Sequence, residues 1–171
     1  MIIETPRLLL VRIPTEVLQL RLQNVPFAWE GIEYPDEWPG EAVRIFPMWL
    51  KNRAQNPEAI EWGGAVIEKR SQSAVGMISA KGTPQNGVVE IGYGFNRSVW
   101  GHGFATEMVD AFCRWIFQQP DITEIWASTR PDNVASGRVL IKNHFIYHGD
   151  ITDPDEGRLL RYRKPMLGFT A

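Results

Sequence analysis

The segment with the clearest capacity for chemistry is Ile91-Gly92-Tyr93-Gly94-Phe95-Asn96-Arg97-Ser98-Val99-Trp100-Gly101-His102-Gly103-Phe104-Ala105-Thr106-Glu107. A strand pattern runs into closely spaced glycines, and an amphipathic helix pattern begins at once. The first amides of a helix have no partner within it and carry the positive end of its dipole. A phosphate placed there accepts several N–H bonds. Glycine removes the Cβ that would hold the anion away, and the small Ala105 does the same for the first turn. The chemistry implied is backbone anchoring of a phosphate or pyrophosphate. A nucleotide-triphosphatase loop is excluded, because no Lys-Ser/Thr pair follows the last glycine. A dinucleotide fingerprint needs three spaced glycines, a later acid and a parallel sheet, whereas the strands ahead of this turn read as antiparallel. A helix that starts at glycines for packing alone would give the same pair, so the turn by itself leaves both readings open.

The elements around the turn follow from periodicity. Residues 7–13 read as a strand ended by Pro14, and Thr15 as the cap of a helix over 16–24. Residues 25–40, with Pro26, Trp29, Pro35, Trp38 and Pro39, read as a loop or short turns that line a cleft or simply pack. Residues 41–54 read as a helix, kinked or divided at Pro47. Strand patterns cover 60–68, 74–80 and 88–95, with turn sequences at 70–73 and 82–87. A helix is expected over 103–117, a strand over 122–129, a short helix over 133–143, and strands over 145–151 and 159–166, the last two as an edge hairpin. An antiparallel meander followed by β-α-β units predicts an α/β (α+β) fold, a mixed sheet with helices on both faces.

Composition narrows the function classes. The 171 residues suit one domain, here 1–171, and 44% hydrophobic with 22% charged residues is a globular balance. A net charge of −2 with mixed signs does not suit a nucleic-acid binder. No apolar run reaches the length of a membrane span, and the start lacks the pattern of a secretory signal. The one cysteine, Cys113, sits in an apolar helical pattern and reads as a core thiol. A cytoplasmic protein without nucleic-acid or membrane partners is expected.

With its flanks, the glycine turn resembles the acetyl-CoA-binding motif of the GNAT N-acetyltransferase superfamily, Gln/Arg-x-x-Gly-x-Gly/Ala, here Trp100-Gly101-His102-Gly103-Phe104-Ala105. Glu4-Thr5-Pro6-Arg7-Leu8-Leu9-Leu10, Glu90-Ile91-Gly92-Tyr93 and Asp132-Asn133-x-x-Ser136 resemble the RimJ/RimL-like, ribosomal-protein-alanine acetyltransferase branch. The resemblance spans essentially the whole chain. It implies the GNAT fold, with a mixed, mostly antiparallel central sheet of six to seven strands and a splay between the fourth and fifth. Trp100 departs from the superfamily's Gln/Arg, His102 holds a variable position, and Lys142-Asn143-His144-Phe145 replaces the commoner Lys-Leu-Gly-Phe.

The resemblance also implies roles. Acetyl-CoA would be the co-substrate, with no metal. Phe95, Asn96 and Val99 would lie along it, the amides of Gly101, His102, Gly103, Ala105 and Thr106 would take the pyrophosphate, and Asn133 would contact pantetheine or serve as an ordinary helix cap. The amine acceptor, a small molecule or a protein N-terminus, must lose a proton. Glu90 is the first candidate base, with Asp155 or Glu156 of the acidic loop as rivals. Ser136 is the candidate acid, since Leu140 stands where many relatives carry Tyr, and Tyr93 is a weaker substitute. Residues 25–50 and 150–158 would shape the acceptor pocket, where Trp29, Glu33, Tyr34, Asp36, Glu37 and Trp38 suit a cationic amine or a peptide N-terminus. A non-catalytic acyl-CoA-binding regulatory module is the alternative. Oligomeric state stays open, a homodimer included.

Overall fold

In the computed structural model, which describes residues 2–57 and 61–166, the apolar and glycine-rich runs form ten strands and four α-helices. The fold is mixed α/β with an open, mostly antiparallel sheet. The chain divides into two units, one of residues up to Ser79 with Tyr93–Phe104, the other of Ala80–Gly92 with the residues from Ala105 on.

The first unit holds β1 (Ile2–Glu4), β2 (Leu8–Val11), α1 (Thr15–Arg21), β3 (Phe27–Trp29), β4 (Ile32–Tyr34), a 3-10 segment (Gly40–Ile45), α2 (Phe46–Gln55) and β5 (Gly63–Glu68). It also takes the first part of β6 (Ser73–Gln85) and the last part of β7 (Val88–Phe95). Strand order is β1-β2-β5-β6-β7, with β2 antiparallel to both β1 and β5. Leu8 and Leu10 alternate inward on β2, as a strand with one buried face requires. The core gathers Ile13, Val17, Leu18, Tyr34, Trp38, Phe46 and Met77.

The second unit holds the remainder of β6 and β7, then α3 (Phe104–Ile116, its first residue excepted), β8 (Glu124–Thr129), α4 (Val134–Lys142), β9 (Ile146–Asp153) and β10 (Gly157–Pro165). Strand order is β6-β7-β8-β10-β9. The β7–β8 ladder is parallel and pairs Val88–Ile91 with Glu124–Ala127, so it stops before either strand ends. The β9–β10 pairing is the expected edge hairpin. The helix α3 buries Met108, Val109, Phe112, Cys113 and Ile116. Burial pushes the Cys113 thiol up to about 12, which fits an inert core thiol.

Several elements differ from the sequence reading for identifiable reasons. Residues 25–40 are not all loop. Glu30 and Gly31, at φ 49° and 81°, make the left-handed turn of a β3–β4 hairpin. The stretch 82–87 is not a broad turn. Strand β6 runs on to Gln85, and Asn86-Gly87, at φ 50° and 79°, reverses the chain in two residues. Thr15 does not cap α1. Pro14 holds the cap position, and the Thr15 hydroxyl accepts instead from Arg53 at 3.1 Å. The helix over 41–54 divides as Pro47 leads one to expect, since Pro47 lacks an N–H and is tolerated only in a first turn, but its first part, Gly40–Ile45, is 3-10 rather than α. Position 60, expected to open a strand, lies outside the described residues.

Of the two readings left open for the 25–40 aromatics, cleft lining or packing, Tyr34 and Trp38 take the second. Tyr34 and Trp38 are buried, and Trp38 Nε1 donates to the Gly76 carbonyl at 2.8 Å. Burial pushes the Tyr34 hydroxyl up to about 12, with nearby Glu30 adding to the effect. Gly76 is also where β6 meets the end of β7. A Cβ there would lie 2.6 Å from the Gly94 carbonyl oxygen and 2.7 Å from the Phe95 ring. Gly76→Ala is therefore expected to cost about 1–3 kcal/mol by overpacking, read as a lower urea midpoint at unchanged m-value. An unchanged midpoint would show that the Gly94 carbonyl and the Phe95 ring both move aside freely.

Candidate active site

The turn after β7 is set by hydrogen bonds that use its early amides and leave later ones. A short 3-10 segment, Arg97–Val99, follows Asn96. The Val99 amide donates to the Asn96 carbonyl at 3.2 Å and the Trp100 amide to that of Arg97 at 3.1 Å. The His102 amide makes a long contact, 3.4 Å, with the Val99 carbonyl. Gly101 and Gly103 then take φ values of 82° and 79°, which side chains with a Cβ rarely adopt. A Cβ at Gly101 would meet nothing within 4 Å, so the backbone there faces open space. The helix α3 starts directly at Phe104, and the amides of Phe104, Ala105 and Thr106 have no partner within it. Ala105 and Thr106 are half-buried.

Side chains brace this turn from behind. Arg7 donates to the His102 carbonyl at 2.8 Å, and its guanidinium lies 4.7 Å from the Phe104 ring centroid. Arg7, His102 and Phe104 line a cavity of about 500 Å³ with Pro6, Glu68, Lys69 and Arg70. Trp100, 59% exposed, returns its Nε1–H to the Phe95 carbonyl at 2.9 Å. The buried Asn96 donates from Nδ2 to the Ala74 carbonyl and from its amide to Val75, both at 2.9 Å. Its side chain thus fastens the turn to β6. Glu37, exposed in the 25–50 segment, accepts from the Ser98 hydroxyl and amide. Phe95 and Val99 are half-buried, and His102 is exposed with its ring edge-on to Phe104.

In the second unit Asn133 caps α4, its Oδ1 accepting from the Ser136 amide at 3.1 Å. That leaves Asn133 exposed and Ser136 half-buried in the first turn. After α4, buried Asn143 donates to the carbonyls of Val139 at 2.9 Å and Thr106 at 3.3 Å, and its own carbonyl accepts from Lys164 at 2.8 Å. His144 takes φ 62° at the position where the resembled branch has glycine.

Of the carboxylates that are candidate bases, Glu90 is half-buried on β7 and accepts from Lys81 of β6 at 3.1 Å. Asp155 and Glu156 are exposed in the β9–β10 turn, and both donate their amides to Asp153 Oδ1 at 2.9 Å. These two N–H groups hold the Asp153 carboxyl below its ordinary value of 3.8, with Lys81 adding a smaller attraction. Lys81 has no signal in the sequence, and neither the Arg7–His102 bond nor the Glu37–Ser98 bond does, because nothing in the local pattern signals partners so distant in the chain.

The fold is that of an acetyltransferase class with known members. The family model described as "Acetyltransferase (GNAT) domain" matches residues 7–146, and the chain belongs to that family of N-acetyltransferases. It is 28% identical over 121 residues to the uncharacterized N-acetyltransferase YjdG of Bacillus subtilis, covering 68% of this chain and 71% of that protein. It is similar in fold to a ribosomal-protein-S5-alanine acetyltransferase from Vibrio fischeri, at TM-score 0.72, 15% identity and full coverage of both chains. It is likewise similar to RimL, a ribosomal L7/L12 alpha-N-protein acetyltransferase in complex with coenzyme A, at TM-score 0.68 and 18% identity, covering 97% of this chain and 98% of that one.

The Asp153 tie has a defined pH dependence. Its folded-state carboxyl titrates below 3.8, so its stabilisation is complete above that value and is lost as pH falls through the depressed one. Amide exchange at Asp155 and Glu156 should stay protected from pH 7 down to about 4 and accelerate below that. Asp153→Ala should remove the protection at every pH. Protection lost already near pH 6 would contradict the tie.

Proposed function

We propose that residues 1–171 act as one cytoplasmic N-acetyltransferase domain that moves an acetyl group from acetyl-CoA to a primary amine, by direct attack in a ternary complex. The observation that carries this reading is the turn Gly101–Thr106, with two left-handed glycines, open space beside Gly101 and unpartnered first-turn amides. Such a surface fits a pyrophosphate: its donors are fixed, no side chain intervenes, and the helix dipole favours negative charge. The amides of Gly101, Gly103, Ala105 and Thr106 are the proposed anchors, with His102 contributing less because its amide already turns toward Val99. Phe95 and Val99 would lie along the pantetheine, and Asn96 would hold the turn in place from β6. Asn133 would meet the pantetheine while capping α4.

An amine of pKa ~10 is almost wholly protonated at neutral pH, so a base must take its proton before attack. Glu90 is the proposed base, with Asp155 as the competing one. After attack the C–N bond forms, the thioester C–S bond breaks, and the thiolate takes a proton. Ser136 is the proposed donor. Holding amine and thioester in register supplies much of the rate. The acceptor is a small-molecule amine or a protein N-terminus.

Titration calorimetry with acetyl-CoA and a thiol-release assay over an amine panel test the reading. Binding together with turnover is expected. Glu90→Gln should lower kcat by about 10²–10⁴-fold, the usual range for a lost general base, with little change in acetyl-CoA affinity. A full loss in Asp155→Asn with Glu90→Gln unaffected would move the base to the β9–β10 turn. Acetyl-CoA binding without turnover on any amine would overturn the enzyme assignment in favour of a binding module.

A further inference from the structure

One face of the second unit carries a cation that none of its neighbouring acids neutralises. Side chains of residues opposed across a ladder share a face, as do residues two apart on one strand. Glu90 opposes Trp126, Trp126 opposes Arg163, and Ser128 opposes Arg161. Glu124, Trp126, Ser128, Glu90, Arg161 and Arg163 therefore share one face, while Ile125, Ala127 and Thr129 are buried on the other. Ser128 is the first β8 residue beyond the end of the β7–β8 ladder.

The acids on this face are engaged elsewhere. Glu124 accepts from Trp126 Nε1 at 2.7 Å and from Arg163 at 3.0 Å. Glu90 accepts from Lys81. Arg161 has neither an acid nor a hydrogen-bond acceptor among the described residues. Its guanidinium instead lies 4.1 Å from the Trp126 ring centroid. His148 fixes the same ring edge-on, with centroids 4.8 Å apart. Two buried polar atoms on this face lack any hydrogen-bond partner, Arg161 Nε and Ser128 Oγ, and they belong to ladder-opposed residues. A planar guanidinium pre-set on an aromatic plate, with a desolvated N–H and no counter-ion, is a receptor for a carboxylate.

We propose that Arg161 and Ser128, on the Trp126 plate, form the anion subsite of the acceptor, so that the preferred amine carries a carboxylate close to its nitrogen. The proposal rests on the acetyl-transfer reading with Glu90 as base. The carboxylate binds Arg161 while the amine meets Glu90, whose strand neighbour is Trp126. This selects for an acidic acceptor, against the cationic preference suggested by residues 29–38, where Tyr34 and Trp38 are core and Glu37 is tied to Ser98.

The test uses matched acceptors in two arms: alanine against alaninamide, and peptides beginning with Asp against those beginning with Asn. The acidic member should win in kcat/KM by about 10–100-fold in one arm, the value of a charge-assisted hydrogen bond. Preference in the first arm identifies free amino acids, and in the second acidic N-termini. Arg161→Gln should erase the acid-to-amide ratio with little effect on KM for acetyl-CoA, and Arg161→Lys should restore part of it. Equal rates within both wild-type pairs, or an equal loss on acid and amide in Arg161→Gln, would overturn the subsite. The Arg161 Nε–H resonance gives a readout without turnover. N-acetylalanine should shift it and N-acetylalaninamide should not, and no shift with the carboxylate also overturns the proposal. If acetyl-CoA does not bind, the acetyl-transfer reading fails, while this resonance still decides the anion subsite.

Discussion

Backbone amides that lack an internal partner are costly when buried and useful when they face a ligand. At Gly101–Thr106 the amides of Ala105 and Thr106 have no partner within α3, and on the proposed reading they face a ligand. The 3-10 turn over Arg97–Val99 consumes the amides of Val99 and Trp100, two left-handed glycines rotate the chain, and α3 begins before any further pairing can form. Side chains of the first unit fasten the turn from several sides. Asn96 is fastened to Ala74, Trp100 to the Phe95 carbonyl, and Arg7 to the carbonyl of His102. Arg7 acts on a carbonyl, the group whose direction is opposite to the neighbouring amides, so it steers donors outward without occupying their space. Its cation also lies over Phe104, adding positive charge near the helix start.

Gly76 belongs to the same support of the turn from β6. Its carbonyl satisfies the buried Trp38 indole, and its missing side chain admits the Phe95 ring. The Trp38 segment and the strand end that precedes the turn are therefore coupled through one glycine. Glu37, one residue before Trp38, adds a second connection by accepting from Ser98. A change in the Trp-rich segment would be felt at the turn through rigid contacts.

Legibility followed the range of the cause. The turn, α3, the Asn133 cap and the order of the main strands could be read because each is dictated by neighbours within a few residues. The Asn133-x-x-Ser136 spacing makes the cap bond that its sequence implies. The β3–β4 hairpin was missed because Glu30-Gly31 is a weaker turn signal than Asn86-Gly87, and Pro26 and Pro35 masked the short strands beside it. Trp38 stays open between cleft wall and core in the sequence, because tryptophan in a proline-rich stretch looks the same whether it faces solvent or core. Only the partner of its indole N–H decides, and that partner is 38 residues away. Lys81, Arg161 and Ser128 carried no signal, since cross-strand register brings them to Glu90 and Trp126. His144 shows a tolerated exception: it adopts the left-handed cap geometry that glycine would supply at lower cost.

The Lys81–Glu90 pair bears on how a base on β7 could work. Lys81 is 51% exposed and Glu90 28%, so the pair is well screened and worth about 0–1 kcal/mol. An arriving ammonium can therefore displace Lys81 at little cost, taking its place against the same carboxylate. On the proposed reading Lys81 is a placeholder that keeps Glu90 directed and charge-matched until an amine arrives. Its stem lies against Gly92, where a Cβ would come within 3.1 Å of Lys81 Cε, so the chain leaves room for that side chain. The contrast with Glu124 supports the distinction. Glu124 holds both Arg163 and the Trp126 indole, two bonds that a single incoming cation cannot replace together. Of the two acids flanking Trp126 on this face, only Glu90 is held by one weak, exchangeable partner, the condition a general base has to meet.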